Sequence, residues 1–168
     1  MNIQSAIKKG QLILSSKNIK TAELDSQILM SKAINKEKKF LILNFNEKIS
    51  QKNLEEFNTL INQRANGEPV AYLINKKNFW NYEFFVNRDV LIPRPDTEVL
   101  VEKVLELTKN KNKLKVLDIG IGSGCILLSI LMEKKNFYGT GVDISKESLN
   151  ICKINSQKLG LKDRIKLF

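Results

Sequence analysis

The chain has 168 residues, 28 basic and 18 acidic, for a net charge of +10, and 42% of it is hydrophobic. That length suits one ordinary domain or two small ones, and the apolar content is too high for a disordered chain. There is no histidine, and cysteine occurs only at Cys125 and Cys152. His triads, His general bases, His metal ligands and a four-ligand cysteine zinc site are therefore excluded, and both cysteines read as thiols.

The first 66 residues carry helical periodicity. Ile3, Ile7 and Leu14 form one stripe. Thr21 is placed to cap a second helix through Ala22, Leu24, Ile28, Leu29 and Ala33, with Glu23 and Asp25 in its first turn. A short segment over 36–44 follows. Ser50 is placed to cap a fourth helix carrying Leu54, Phe57, Leu60 and Ile61, which Gly67 and Pro69 stop. These stripes read as the core of a small bundle.

Residues 70–92 read as a hairpin leading into an extended segment, with Phe79, Trp80, Tyr82, Phe84 and Phe85 crowded around Asn81. Cross-hairpin packing accounts for most of these rings, and Trp80 or Phe84 is also available to a ligand. Pro93 and Pro95 hold Arg94 extended, and Asp96 or Thr97 is placed to cap a helix over 97–109 with Val101, Val104, Leu105 and Thr108 on its buried side.

From Leu114 the pattern becomes strand, glycine turn, helix over 126–134, strand over 136–143, a helix capped by Ser145 and stopped by Gly160, and a strand over 164–168. Alternating strands and helices imply a parallel, Rossmann-like sheet with right-handed crossovers. The fold class is α/β, with a helical domain over 1–75 and an incomplete Rossmann-like domain over 76–168. The nearly apolar run 126–132 is far too short to span a membrane, and no signal-peptide apolar region opens the chain, so a cytoplasmic location is expected. The positive charge is spread over both halves, and 24 of the 28 basic residues are Lys. Solvated surface is therefore favoured over specific nucleic-acid recognition, with some attraction to an acidic partner left open.

The string VLDIGIGSGC, residues 116–125, carries the chemistry. Glycines recur at Gly120, Gly122 and Gly124, so bare backbone lies beside whatever binds there. The spacing is neither the dinucleotide fingerprint nor a phosphate-binding loop. Asp118, ahead of the turn, would repel a pyrophosphate and suit a ligand with an ammonium group. Asp143, at the end of the next strand, can accept from a ribose diol, and Ile144 offers an apolar face to adenine. A nucleoside with an amino-acid tail, S-adenosylmethionine, meets all of these conditions; the competing reading is a merely structural tight turn.

Taken with GEPVAYL (67–73), FFVNRDVLIPRPDTE (84–98) and GVDIS (141–145), the sequence resembles the protein glutamine methyltransferases of the HemK/PrmC family, which modify peptide chain release factors. The resemblance covers essentially the whole chain. It implies a helical domain that grips the release factor and a class I methyltransferase domain that methylates the side-chain amide of the glutamine in the Gly-Gly-Gln loop. It implies further that Asp118, Gly120, Gly122 and Gly124 face the methionine part of the cofactor and Asp143 the ribose. Arg94, Pro95 and Thr97 would sit near the cofactor tail and the substrate entrance; for Arg94, a salt bridge with Asp96 or Glu98 is an equal alternative. The family's catalytic Asn-Pro-Pro-Tyr signature has no counterpart among Pro69, Pro93 and Pro95. No catalytic residue is therefore assigned and no metal is expected. The expectation is a truncated or split product, inactive alone unless a second chain supplies the missing half, with the first strand of the parallel sheet left open on one side. Two other functions stay open: a non-catalytic module that binds a release factor, and part of a nucleic-acid methyltransferase. A longer enzyme fused to another methyltransferase domain also fits the sequence.

Overall fold

The computed structural model describes residues 1–168 as two compact units, Met1–Ile74 and Asn75–Phe168. The first consists of α1 (Ile3–Ser16), α2 (Ala22–Ala33), α3 (Lys38–Leu43), α4 (Gln51–Ala65) and α5 (Val70–Ile74). Leu14, Leu29, Met30, Leu41, Phe57 and Ile61 fill its core. Leu24, expected on the buried stripe, is exposed, and Asp25 is buried instead, bridged to Arg64 of α4 at 2.7 Å. A buried carboxylate is tolerable only when paired in this way. Ser50 caps α4 by accepting from the Asn53 N–H. Thr21 does not cap α2 with its side chain, because its hydroxyl donates to the Asp25 carboxylate at 3.0 Å.

Residues 70–74 were expected to be extended and are helical. Pro69 presets the first turn, its carbonyl accepting from the Tyr72 and Leu73 N–H groups. Val70, Leu73 and Ile74 then pack on the helical core, so tertiary packing overrides the strand propensity of Val70 and Ile74.

The second unit begins with the expected hairpin, β1 (Lys77–Phe79) against β2 (Tyr82–Phe84), with Phe79 paired to Tyr82. Trp80 occupies its turn at φ 55, a backbone region uncommon for a bulky residue. Its N–H donates to Glu98 and its indole N–H to Glu133, both at 2.8 Å, which holds it there. Phe84 is fully buried against Phe79 and is inaccessible to a ligand.

Arg94 is extended, as its flanking prolines require, and leads into a 3-10 turn at Pro95–Thr97 and then α6 (Glu98–Leu107). Neither Asp96 nor Thr97 caps this helix through its side chain, since the proline-led 3-10 turn already supplies its entry. Val101 is its fully buried residue.

Next come β3 (Lys115–Ile119), α7 (Cys125–Glu133), β4 (Tyr138–Val142), α8 (Lys146–Lys158) and β5 (Ile165–Leu167). The sheet order is β3-β4-β5, all parallel, as strand–helix alternation dictates. Val116 and Asp118 point to the side on which α7 packs, and Leu117 and Ile119 to an open side, where they are 59% and 77% exposed. β3 therefore has an open edge and an open face. Ser145 caps α8 by accepting from the Ser148 N–H at 3.0 Å, and Gly160, at φ 69, ends the segment. Arg164 lies before the last strand, not in it. Its guanidinium donates to the carbonyls of Leu131, Lys134 and Phe137, satisfying the C-terminal end of α7.

Candidate functional site

The glycine turn joins β3 to α7 at the C-terminal end of the sheet, where ligands of open α/β folds bind. Gly120, Gly122 and Gly124 have φ of 78, 53 and 80, all in the left-handed region that only glycine visits cheaply. The three do different work. A side chain at Gly120 or Gly122 would meet open space. One at Gly124 would lie 2.7 Å from the Cys152 sulfur and 2.8 Å from Leu128. Gly124 thus lets α8 approach the start of α7, whereas Gly120 and Gly122 leave their backbone bare to a ligand.

Asp143 follows β4 and turns back onto the glycine turn. One carboxylate oxygen accepts from the Gly122 N–H at 2.9 Å and the other from the Ser145 N–H at 3.0 Å. A carboxylate has roughly four acceptor positions, so two bonds leave capacity for a ligand diol. Ile144, beside it, is wholly exposed.

Asp118 is half-buried beside the start of α7. Burial raises its pKa above the usual carboxyl range; the Leu127 N–H opposes this, and the Asp143 charge adds to it. Two carboxylates therefore converge on the turn, an arrangement suited to a cationic group and hostile to phosphate. Cys125 and Cys152 are free thiols. Burial pushes the Cys152 thiol up to about 12, so it is an inert packing group.

The structure brings Asp118, Gly122, Gly124 and Asp143 together, flanked by Gly120 and Ile144. The hydrogen bonding around Arg94, Pro95 and Thr97 is local, the Thr97 N–H donating to the Arg94 carbonyl at 3.1 Å. Arg94 is exposed and pairs with neither Asp96 nor Glu98; Glu98 instead accepts from Trp80. No bond ties this segment to the glycine turn directly.

One residue that supports the turn was not anticipated. Asn155 of α8 is fully buried, and its side chain bonds the Ser123 carbonyl inside the turn and both main-chain groups of Phe85. The available signal was an amide falling on the apolar face set by Ile151 and Cys152.

Residues 5–74 match the family model of the PrmC N-terminal domain, and residues 110–167 match a methyltransferase domain model. The chain is 40% identical to a release factor glutamine methyltransferase of Buchnera aphidicola subsp. Baizongia pistaciae over 163 residues, 97% of this chain and 58% of that protein. It is 40% identical to the release factor glutamine methyltransferase of Clostridium acetobutylicum over 167 residues, 99% of this chain and 59% of that one. It is also 36% identical to a bifunctional methyltransferase of Rickettsia prowazekii, covering 99% of this chain and 36% of that protein. The chain thus spans less than two thirds of the length of these relatives.

Proposed function

We infer that this chain, which groups with the release factor glutamine methyltransferases over the part of their length that it spans, carries the cofactor site and substrate-docking helices of such an enzyme. The cofactor is S-adenosylmethionine, which supplies the methyl group; the acceptor is the side-chain amide of a release-factor glutamine. The observation that carries this reading is the meeting of Asp143 with the Gly122 N–H beside Asp118. The residues present fit the group. Asp118 suits the ammonium end of its methionine part, Asp143 has acceptor capacity for the ribose, and exposed Ile144 can cover the adenine. Gly120 and Gly122 admit close approach of the ligand to the backbone. Gly124 contributes by packing rather than by contact.

Residues 1–74 are assigned to release-factor docking, Thr97 to the cofactor, and Arg94 and Pro95 to the substrate and cofactor entrance. An amide nitrogen is a weak nucleophile, and orienting it is the task that the family's Asn-Pro-Pro-Tyr performs. The 168 residues do not contain that motif. Co-precipitation of the chain with a release factor, with and without its Gly-Gly-Gln glutamine changed to alanine, tests the docking assignment. Retention of the unmodified factor supports it; no retention refutes it. Salt-sensitive retention of RNA in its place would favour a nucleic-acid substrate.

A further inference from the structure

The glycine turn is held from two sides. Asp143 grips it at Gly122, and Asn155 grips it at Ser123, where the amide nitrogen donates to the carbonyl at 2.9 Å. The rest of the Asn155 amide engages residue 85. Its oxygen accepts from the Phe85 N–H at 2.7 Å, and its nitrogen donates to the Phe85 carbonyl at 3.0 Å. Only one orientation of the amide meets one donor and two acceptors, so these three bonds fix it.

Phe85 opens the arm that runs through Val86 and Val90 to Pro93, Arg94 and Pro95. The same helix holds the arm a second time, the Ser148 hydroxyl donating to the Asp89 carbonyl at 3.1 Å. The arm and the turn are thus both referenced to one side chain of α8. An apolar residue at 155 would fill the space but leave a buried N–H and two carbonyls unpaired.

We propose that Asn155 is a positioning residue that locks the Phe85 arm to the glycine turn, so that the two open as one unit and a ligand seated on the turn orders the arm leading to Arg94. The ligand half of this statement rests on the cofactor reading above; the mechanical half does not.

Amide hydrogen exchange of the 168-residue chain tests both halves, with S-adenosylmethionine as the probe. Without ligand, amides of 85–90 and 122–124 in the unaltered chain should open together, with protection agreeing within about threefold. Asn155→Ala should raise exchange in both segments by roughly tenfold or more and separate their rates. With ligand, both segments should slow in the unaltered chain, and only the turn in the variant. Should Asn155→Ala lose its cooperative thermal transition, Asn155→Asp, which keeps an acceptor for the Phe85 N–H, carries the comparison. Independent opening of arm and turn in the unaltered chain overturns the proposal, as does ligand protection of the arm that persists in the variant. Absence of calorimetric binding counts against the cofactor reading, while the ligand-free comparison still decides the role of Asn155.

Discussion

The Gly122 N–H donates to the Asp143 carboxylate at 2.9 Å, joining the glycine turn to the end of the neighbouring strand. The other oxygen of that carboxylate accepts from Ser145, at the cap of α8. One side chain thus sets the turn, starts a helix and faces the proposed ribose position. Asp143→Ala leaves both N–H groups without this acceptor and should cost about 1–3 kcal/mol of stability. Asp143→Asn, which keeps one acceptor, should cost less. Urea unfolding of the two variants checks the order.

Asp118 makes the site sensitive to acid. Its pKa is raised by burial first and by Asp143 second. The folded chain therefore takes up this proton at higher pH than the unfolded chain does. This group destabilises the fold when ionised, and the penalty lifts as pH falls through its folded pKa. Binding of an ammonium-bearing ligand runs the other way, because it needs the carboxylate. Affinity for S-adenosylmethionine should fall on acidification above the usual aspartate range, and Asp118→Asn should bind weakly with a flattened profile. Calorimetric titrations across pH, with stability followed in parallel, test both signs.

The three glycines should separate on substitution. Gly120→Ala meets only the left-handed backbone penalty, about 1–2 kcal/mol. Gly124→Ala meets the same penalty and also a collision with Cys152 and Leu128, so it should be the more destabilising. Cys152→Ala in the Gly124→Ala background should recover part of the loss. Equal melting temperatures for Gly120→Ala and Gly124→Ala would contradict the division of labour.

The sheet has one covered face and one open face, and substitutions should report which is which. Ile119→Lys, on the open face, should change stability by less than about 0.5 kcal/mol and reduce self-association. Leu127→Ala, in the core beneath the sheet, should cost about 2–5 kcal/mol. Unfolding curves and sedimentation distinguish the two.

The parts legible in the sequence were those whose physics is local. Ser50 and Ser145 cap the helices that follow them because a cap needs only the next three residues. Asp143 and the glycines were legible because strand, turn and acid follow at fixed spacing. The parts not legible depend on distant partners. Asn155 is defined by Phe85, 70 residues away, and Arg164 by carbonyls of α7 up to 33 residues away. Trp80 tolerates its turn only because Glu98 and Glu133 receive its N–H groups. Gly124 resembled its two neighbours in the motif, and only the packing of Cys152 beneath it separates them. The helix at 70–74 was hidden because Val70, Tyr72 and Ile74 favour strands until Pro69 and the helical core act on them.

The most direct measurement is calorimetric titration of the 168-residue chain with S-adenosylmethionine, beside Asp143→Asn. The reading of the turn predicts weak, saturable one-to-one binding that falls by about tenfold or more in the variant, the equivalent of one lost hydrogen bond to a charged group. No binding to the unaltered chain, or equal binding to both, would contradict it.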